Sequence, residues 1–280
     1  MPPSATPTPA NRNTPPDLAL LANEAMVRAM ARKGAGAVPS IGEVLRRRLP
    51  FMAWIDSFVF RAVMLVARRQ IIAITGIEHI LNPGPFVLAL NHSIKREAII
   101  VPAALIFHRG GRLIHFWSDW VYRIVPGLGF LLRRAGTIAV MTKPGNPRIL
   151  DLLRPFFSRG APAIEQARAH LRAGRPIGVF PEGTANRDRR RLLGGRHGAA
   201  RLSLEVGVPV VPVGIVFPKA PAAGAIPESA AMEIRIGRPL VPPRTSAPRP
   251  SLVEVRAWHA TVMTEIARLS GKTWSSEPAA

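Results

Sequence analysis

Residues 86–107 read FVLALNHSIKREAIIVPAALIF. The first five are apolar and follow the turn signal NPGP at 82–85, so they predict a buried strand that ends at Asn91. The run from Arg96 to Phe107 is long enough for a helix, and the glycine pair that follows it is a typical stop signal. A strand, a polar loop and a helix therefore follow one another, as in a unit of an α/β fold.

The same alternation continues along the chain. Further strands are predicted at 113–117, 137–141, 177–180, 208–216 and 232–236, and further helices at 163–173, 199–205 and 252–269. Residues 71–280 are thus expected to form one α/β domain with a mostly parallel central sheet, flanking helices and a C-terminal helix. In such sheets, sites lie at the carboxyl ends of strands, where Asn91-His92 and Pro181-Glu182 are both expected.

The N-terminal part has a different composition. Residues 1–45 mix Pro, Ala, Gly and charge, which predicts a mostly disordered tail. Residues 46–70 predict an amphipathic helix at a membrane interface, since the apolar stretch 51–67 has arginine on both flanks. A spanning helix needs about 20 apolar residues with few charges, and Asp56 and Arg61 interrupt this one. The alternative is an ordinary helix that covers the protein core.

The charge points to phosphate-bearing partners. Lys and Arg total 38 against 17 Asp and Glu, for a net charge of +21, and most of the basic residues are arginine. An anionic membrane, a phosphorylated substrate or nucleic acid would fit. Nucleic acid is the weaker reading, because the basic run 187–191 lacks interleaved aromatic side chains on which bases stack. With no secretory signal, the expected location is the cytoplasmic face of the cell membrane, peripheral or shallowly inserted.

His92 and Glu97 form the first candidate site. If His92 lies in the loop after the strand and Glu97 in the first helical turn, the carboxylate can fold back to the imidazole and leave its other nitrogen to take a proton from an alcohol. The absence of cysteine excludes a thiolate nucleophile. No histidine spacing is typical of a metal site, and no nucleotide-binding fingerprint occurs, so we expect neither metal nor cofactor.

The second candidate is the sequence FPEGT at 180–184. A proline that ends a strand, followed by an acid and a glycine, predicts a rigid corner where Glu182, Gly183 and Thr184 face a ligand. Taken alone, the motif is more typical of a strand-to-loop turn with a solvated Glu182.

Together these motifs carry a resemblance. NHSIKRE at 91–97, FPEGT at 180–184 and GVPVVPV at 207–213 resemble, in this order, the motifs of the 1-acyl-glycerol-3-phosphate acyltransferase family. The resemblance covers residues 71–242 and implies the glycerolipid acyltransferase fold with N-terminal membrane-associating helices. It also implies acyl-CoA or acyl carrier protein as donor substrate, a lysophospholipid acceptor of the lysophosphatidate type, His92 as base and Glu97 as the acid that orients it.

The chain departs from the family pattern at several places, among them Ile94, where the family has Ser two places after the histidine. Glu97 stands where the family usually has Asp, Thr142 where it has a phosphate-binding Arg, and Ala185 where an Arg follows Thr. The resemblance implies substrate contacts by Glu182, Gly183 and Thr184. The residues expected to compensate for the two missing arginines are Lys143, Arg187 and Arg196. The departures leave two alternatives: acylation of a different lyso-lipid, or a basic membrane- or nucleic-acid-binding protein on a degenerate acyltransferase scaffold.

Overall fold

The computed structural model describes residues 38–81, 83–141, 144, 148–153, 161–221, 224–245 and 249–276. The helices in this part are α1 (Ile41–Arg46), α2 (Trp54–Ala67), α3 (Glu97–His108), α4 (Leu128–Arg134), α5 (Ala163–Arg172), α6 (Gly198–Val206) and α7 (Leu252–Ser270). The strands are β1 (Ile71–Thr75), β2 (Val87–Leu90), β3 (His115–Asp119), β4 (Ile138–Val140), β5 (Ile177–Val179), β6 (Val210–Val216) and β7 (Met232–Ile236). Short 3₁₀ helices lie at Ile77–Ile80, Trp120–Arg123 and Arg148–Leu153.

The strands form one sheet in the order β1-β7-β6-β2-β5-β3-β4. Each neighbouring pair is parallel except β6 and β7, which are antiparallel. The predicted mixed α/β architecture with a mostly parallel central sheet is confirmed. The predicted tail at 1–37, Thr142 and Lys143 lie outside the described residues.

The sheet order places the two candidate motifs side by side. β2 is hydrogen-bonded to both β5 and β6, with Val87 opposite Ile177 on one side and Val210 on the other. Because β2 and β5 are parallel neighbours, the loops after Leu90 and Val179 leave the same edge of the sheet. This adjacency is what a shared site requires.

Helices cover the sheet with apolar side chains. Val87 and Ala89 of β2 belong to a buried cluster that includes Leu171 of α5, Leu202 of α6 and Val262 of α7. Side chains alternate along a strand, so these two β2 residues share one face of the sheet. The almost wholly buried α3 lies outside that cluster and packs against α2. Its sequence is apolar on every side, which is typical of a helix enclosed by protein.

The N-terminal helices differ in detail from the sequence prediction. Residues 41–46, placed within and at the edge of the disordered tail, form α1, which begins with a reciprocal capping box between Ser40 and Glu43. The polar stripe of α2 turns toward the protein, because Arg61 donates to the carbonyls of Val44 and Arg47 at 3.2 and 2.9 Å. None of the helices in the described ranges is both long and apolar enough to cross a bilayer.

Candidate active site

His92 lines a cavity, and Glu97 lies behind it in the protein interior. His92 lies in the loop after β2 and Glu97 is the first residue of α3, and His92 Nδ1 lies 2.7 Å from Glu97 Oε1. The same carboxylate oxygen accepts a hydrogen bond from Ser93 N. An ionised carboxylate only accepts hydrogen bonds, so Nδ1 carries the hydrogen and Nε2 keeps a lone pair. The pair therefore has the geometry that a general base requires.

Several contacts fix the backbone around His92. Asn91 continues the pairing of β2 with β6, since its Nδ2 donates to Ile215 O at 3.1 Å and its Oδ1 accepts from Ile215 N at 2.6 Å. The His92 carbonyl accepts from Asn186 N at 2.7 Å. The imidazole packs on the ring of Phe180 with 4.6 Å between centroids. Both the position and the orientation of the imidazole are thus determined by neighbouring strands.

Glu97 is completely buried. Burial raises the pKa of its carboxyl group, while the hydrogen bond from His92 and the charge of an imidazolium there oppose this shift. A buried carboxylate is most stable beside a cation, so Glu97 would stabilise an imidazolium formed by proton uptake at His92. This is the electrostatic task of an orienting acid in base catalysis.

Glu182 holds the two motifs together. Its Oε1 accepts from His92 N at 2.8 Å, and its Oε2 accepts from Asn186 Nδ2 at 2.8 Å and Leu193 N at 2.9 Å. The side chain is buried. The structure thus brings Glu182 to the site, with both oxygens bonded to protein groups. Its predicted contact with acceptor hydroxyls stays a prediction.

Gly183 permits a close approach at the corner. Its φ of +68° lies in the left-handed region, and a Cβ there would be 3.0 Å from Arg196 Nε. Its N–H donates to Phe180 O at 3.0 Å, and Arg196 N donates to Pro181 O at 2.7 Å. The predicted contacts Gly183, Thr184 and Arg196 therefore stand together, and all three line the cavity.

Arg187 is placed differently. Its Nη2 pairs with Glu228 Oε1 at 2.6 Å. The same carboxylate accepts from Lys95 N and Arg96 N at 3.3 and 3.2 Å, just before α3 begins. Arg187 thus contacts the carboxylate that binds the amide groups before α3, and it does not line the cavity. Its predicted role in phosphate binding stays a prediction, as does that of Lys143.

The cavity has a volume of about 480 Å³, within the usual range for ligand sites of roughly 300–1,000 Å³. Its lining is largely apolar, with Phe60 of α2 and Ile106 of α3 among its walls. The polar side chains that line it include His92, Lys95, Arg96, Ser118, Asp119, Tyr122, Thr137, Thr184 and Arg196. Gly178 of β5 matters here too, because a Cβ would come within 2.5 Å of the Phe116 ring, which also lines the cavity. A ligand with a large apolar part and a polar group fits this lining.

Three cationic residues escaped the sequence prediction. Lys95 and Arg96, which lie between His92 and Glu97 in the sequence, line the cavity. Their position inside the motif could have indicated that they are part of the site. Lys272, after α7, is buried next to Ser93, and no local pattern marks it.

The family assignment rests on residues 71–216, slightly more than half of the chain, which match the family model described as acyltransferase. The chain belongs to the acyltransferase family and is an enzyme of that class.

A solved structure shares the fold. It is the crystal structure of the 1-acyl-sn-glycerophosphate (LPA) acyltransferase PlsC from Thermotoga maritima, at 20% identity and a TM-score of 0.51, covering 92% of this chain and 98% of that chain. No curated protein sequence matches the chain. The predicted acyltransferase α/β fold is confirmed.

Proposed function

We propose that the protein transfers a fatty acyl group from a thioester donor, acyl-CoA or acyl carrier protein, to a hydroxyl of a lysophospholipid. The observation that carries this is the His92–Glu97 pair, with His92 lining a largely apolar cavity, in a chain of the acyltransferase family. His92 Nε2 takes the hydroxyl proton as the oxygen bonds to the thioester carbonyl carbon. The carbon–sulfur bond then breaks, and the thiolate takes the proton from the imidazolium. The products are an ester and a free thiol.

Cationic side chains at the cavity mouth support a phosphate-bearing acceptor. Lys95, Arg96 and Arg196 line the same cavity as His92. They would occupy the role of the arginines missing at positions 142 and 185, with Arg supplying two parallel hydrogen bonds and Lys a point charge. A lysophosphatidate-type acceptor fits this arrangement, with its phosphate at the mouth and its hydroxyl at His92.

The direct test of this function measures thiol release from long-chain acyl-CoA in the presence of a panel of lysolipids. We expect release that depends on a lysophospholipid and yields a new ester. Release without acceptor would identify a thioesterase instead. Absence of release with acyl-CoA and with acyl carrier protein would favour a binding protein on a degenerate scaffold and overturn the proposal.

The apolar part of the cavity is proposed to hold the acyl chain. Ala103 of α3 is buried and lines it. In Ala103→Phe the larger ring should displace roughly two methylenes of a long chain, at about 0.8 kcal/mol each, so kcat/KM for long-chain donors should fall about tenfold. Short-chain donors are the internal control and should be used nearly as well as by the wild type. An equal loss for both chain lengths would contradict this placement.

Exposed aromatic side chains support attachment to an anionic membrane surface. Trp54 and Phe58 of α2 are 80% and 71% exposed. An ion pair of 3.0 Å between Asp56 and Arg134 joins α2 to α4, where Phe130 is also exposed. Large apolar groups gathered on one face indicate an interaction site, and arginine flanks suit anionic headgroups. We propose that this face lies in the cytoplasmic leaflet, beside the substrate lipids.

The membrane proposal predicts a binding defect. The double variant Trp54→Ser/Phe58→Ser should bind vesicles with anionic lipids more weakly by at least about 100-fold, since each aromatic ring contributes about 1.5–3 kcal/mol when buried. Its unfolding temperature should be unchanged, because both side chains are exposed. Val253→Ser, at another exposed apolar position, is the control. Equal vesicle binding by the double variant and the control would refute attachment through α2.

A further inference from the structure

The segment after α7 returns to the active-site loops. Gly271 ends the helix in the left-handed region, with φ of +69°. Thr273 N then donates to Arg190 O at 2.7 Å, and Leu192 N donates to Thr273 O at 2.9 Å. The Thr273 hydroxyl adds a second bond to Arg190 O at 3.0 Å. These hydrogen bonds hold the segment against the loop that follows the turn at Glu182.

These hydrogen bonds place the preceding residue, Lys272, in the protein interior beside the dyad. Lys272 is 7% exposed, and its Nζ donates to Ser93 Oγ at 2.9 Å and to Asp188 O at 2.7 Å. Ser93 is the residue after His92, and its backbone N–H is bonded to Glu97. Lys272 therefore joins the loop of the dyad to the loop that contains Asp188.

A buried ammonium group needs compensation by opposite charge. Burial lowers the pKa of Lys272, and the carboxylates of Glu182, Glu97 and Asp188 oppose the shift. The attraction between two charges is mutual, so the ammonium group also stabilises the ionised form of Glu97, which burial disfavours. His92 is the other group in contact with Glu97 that can become a cation.

We propose that Lys272 is a positioning residue for acyl transfer, which fixes the His92 loop through Ser93 and keeps Glu97 ionised through its charge. The proposal rests on the function proposed above for His92 and Glu97. If Lys272 only stabilised the fold, its replacement would change the amount of folded enzyme. The pH dependence of the activity of the enzyme that remains folded would be unchanged. The pH profile therefore separates the two roles.

Lys272→Met removes the charge and keeps most of the stem. We expect kcat to fall about tenfold or more with little change in KM. The acid limb of the kcat/KM profile should move to higher pH by roughly half a unit or more, because Glu97 binds a proton more readily without the cation. Thr273→Val is the matched control: it weakens the hydrogen bonds that hold the segment without changing charge, and its acid limb should coincide with that of the wild type.

Ser93→Ala tests the mechanical link separately, including the case in which Lys272→Met does not fold. This variant should lose several-fold in kcat with an unmoved acid limb, and a wild-type kcat would overturn the proposal. A folded Lys272→Met enzyme with an unshifted limb would overturn it as well. If His92→Ala retained the wild-type rate, the proposed function would fail. Loss of activity in His92→Ala together with normal behaviour of Lys272→Met would refute only the role of Lys272.

Discussion

Replacing His92 by alanine is expected to abolish measurable acyl transfer while the protein remains folded. General-base catalysis contributes about 10²–10⁴-fold, and the proposed base is the imidazole of His92, which lines the cavity. The side chain is not part of the buried apolar core, so the unfolding temperature should change little. The assay is thiol release with lysophospholipid at saturating donor.

A second histidine provides the control for this variant. His170 of α5 packs against His115 with 3.9 Å between ring centroids and does not line the cavity. His170→Ala should retain most of the activity. Comparable rates for His92→Ala and His170→Ala would remove His92 from the mechanism.

Replacing Glu182 by glutamine is expected to damage both the fold and the rate. The carboxylate accepts three hydrogen bonds on two oxygens, and an amide nitrogen cannot replace either oxygen as an acceptor. Leaving a buried donor unpaired costs about 1–3 kcal/mol, which corresponds to a drop of several degrees in unfolding temperature for a domain of this size. Because one of these donors is His92 N, kcat should also fall, by about 10²-fold if the imidazole shifts by roughly 1 Å.

The control for Glu182 is a glutamate whose ion-pair partners do not line the cavity. Glu205 of α6 pairs with Arg168 and Arg201 at 2.6 and 2.8 Å. Glu205→Gln should lower the unfolding temperature and leave kcat of the folded enzyme intact. If Glu182→Gln instead kept its stability and raised only the KM for the acceptor, Glu182 would bind the acceptor hydroxyl, as the family resemblance implies, and its role in holding the loops would be minor.

The periodicity of apolar residues and the Gly and Pro residues that end helices and strands predicted the fold well, because those signals are local. The strand at Met232–Ile236 and the helix that begins at Leu252 were predicted with those limits, and β2 and α3 within a residue or so. The proximity of the dyad also followed from local geometry, a loop residue next to the first turn of a helix. The contact between His92 and Glu182 depends on the pairing of β2 with β5, and the order of these strands along the chain does not predict that pairing.

The remainder depends on distant partners. Lys272 lies 179 positions from Ser93, and the sequence around it has no pattern that indicates burial. The direction in which α2 faces was also hidden, since an amphipathic pattern locates two faces without saying which one contacts protein. Arg61 faces the protein because its guanidinium donates hydrogen bonds to carbonyl groups of the preceding helix and loop, and Trp54 is exposed to solvent.

The bond between the Asn91 side chain and the Ile215 backbone has a practical consequence. The two residues are 124 positions apart, so the loop of the dyad acquires its native geometry only when β6 has docked on β2. The Ile215 amide hydrogen should then exchange with deuterated solvent as slowly as the most protected strands. Its exchange rate becomes a reporter of active-site integrity that needs no lipid, donor or turnover.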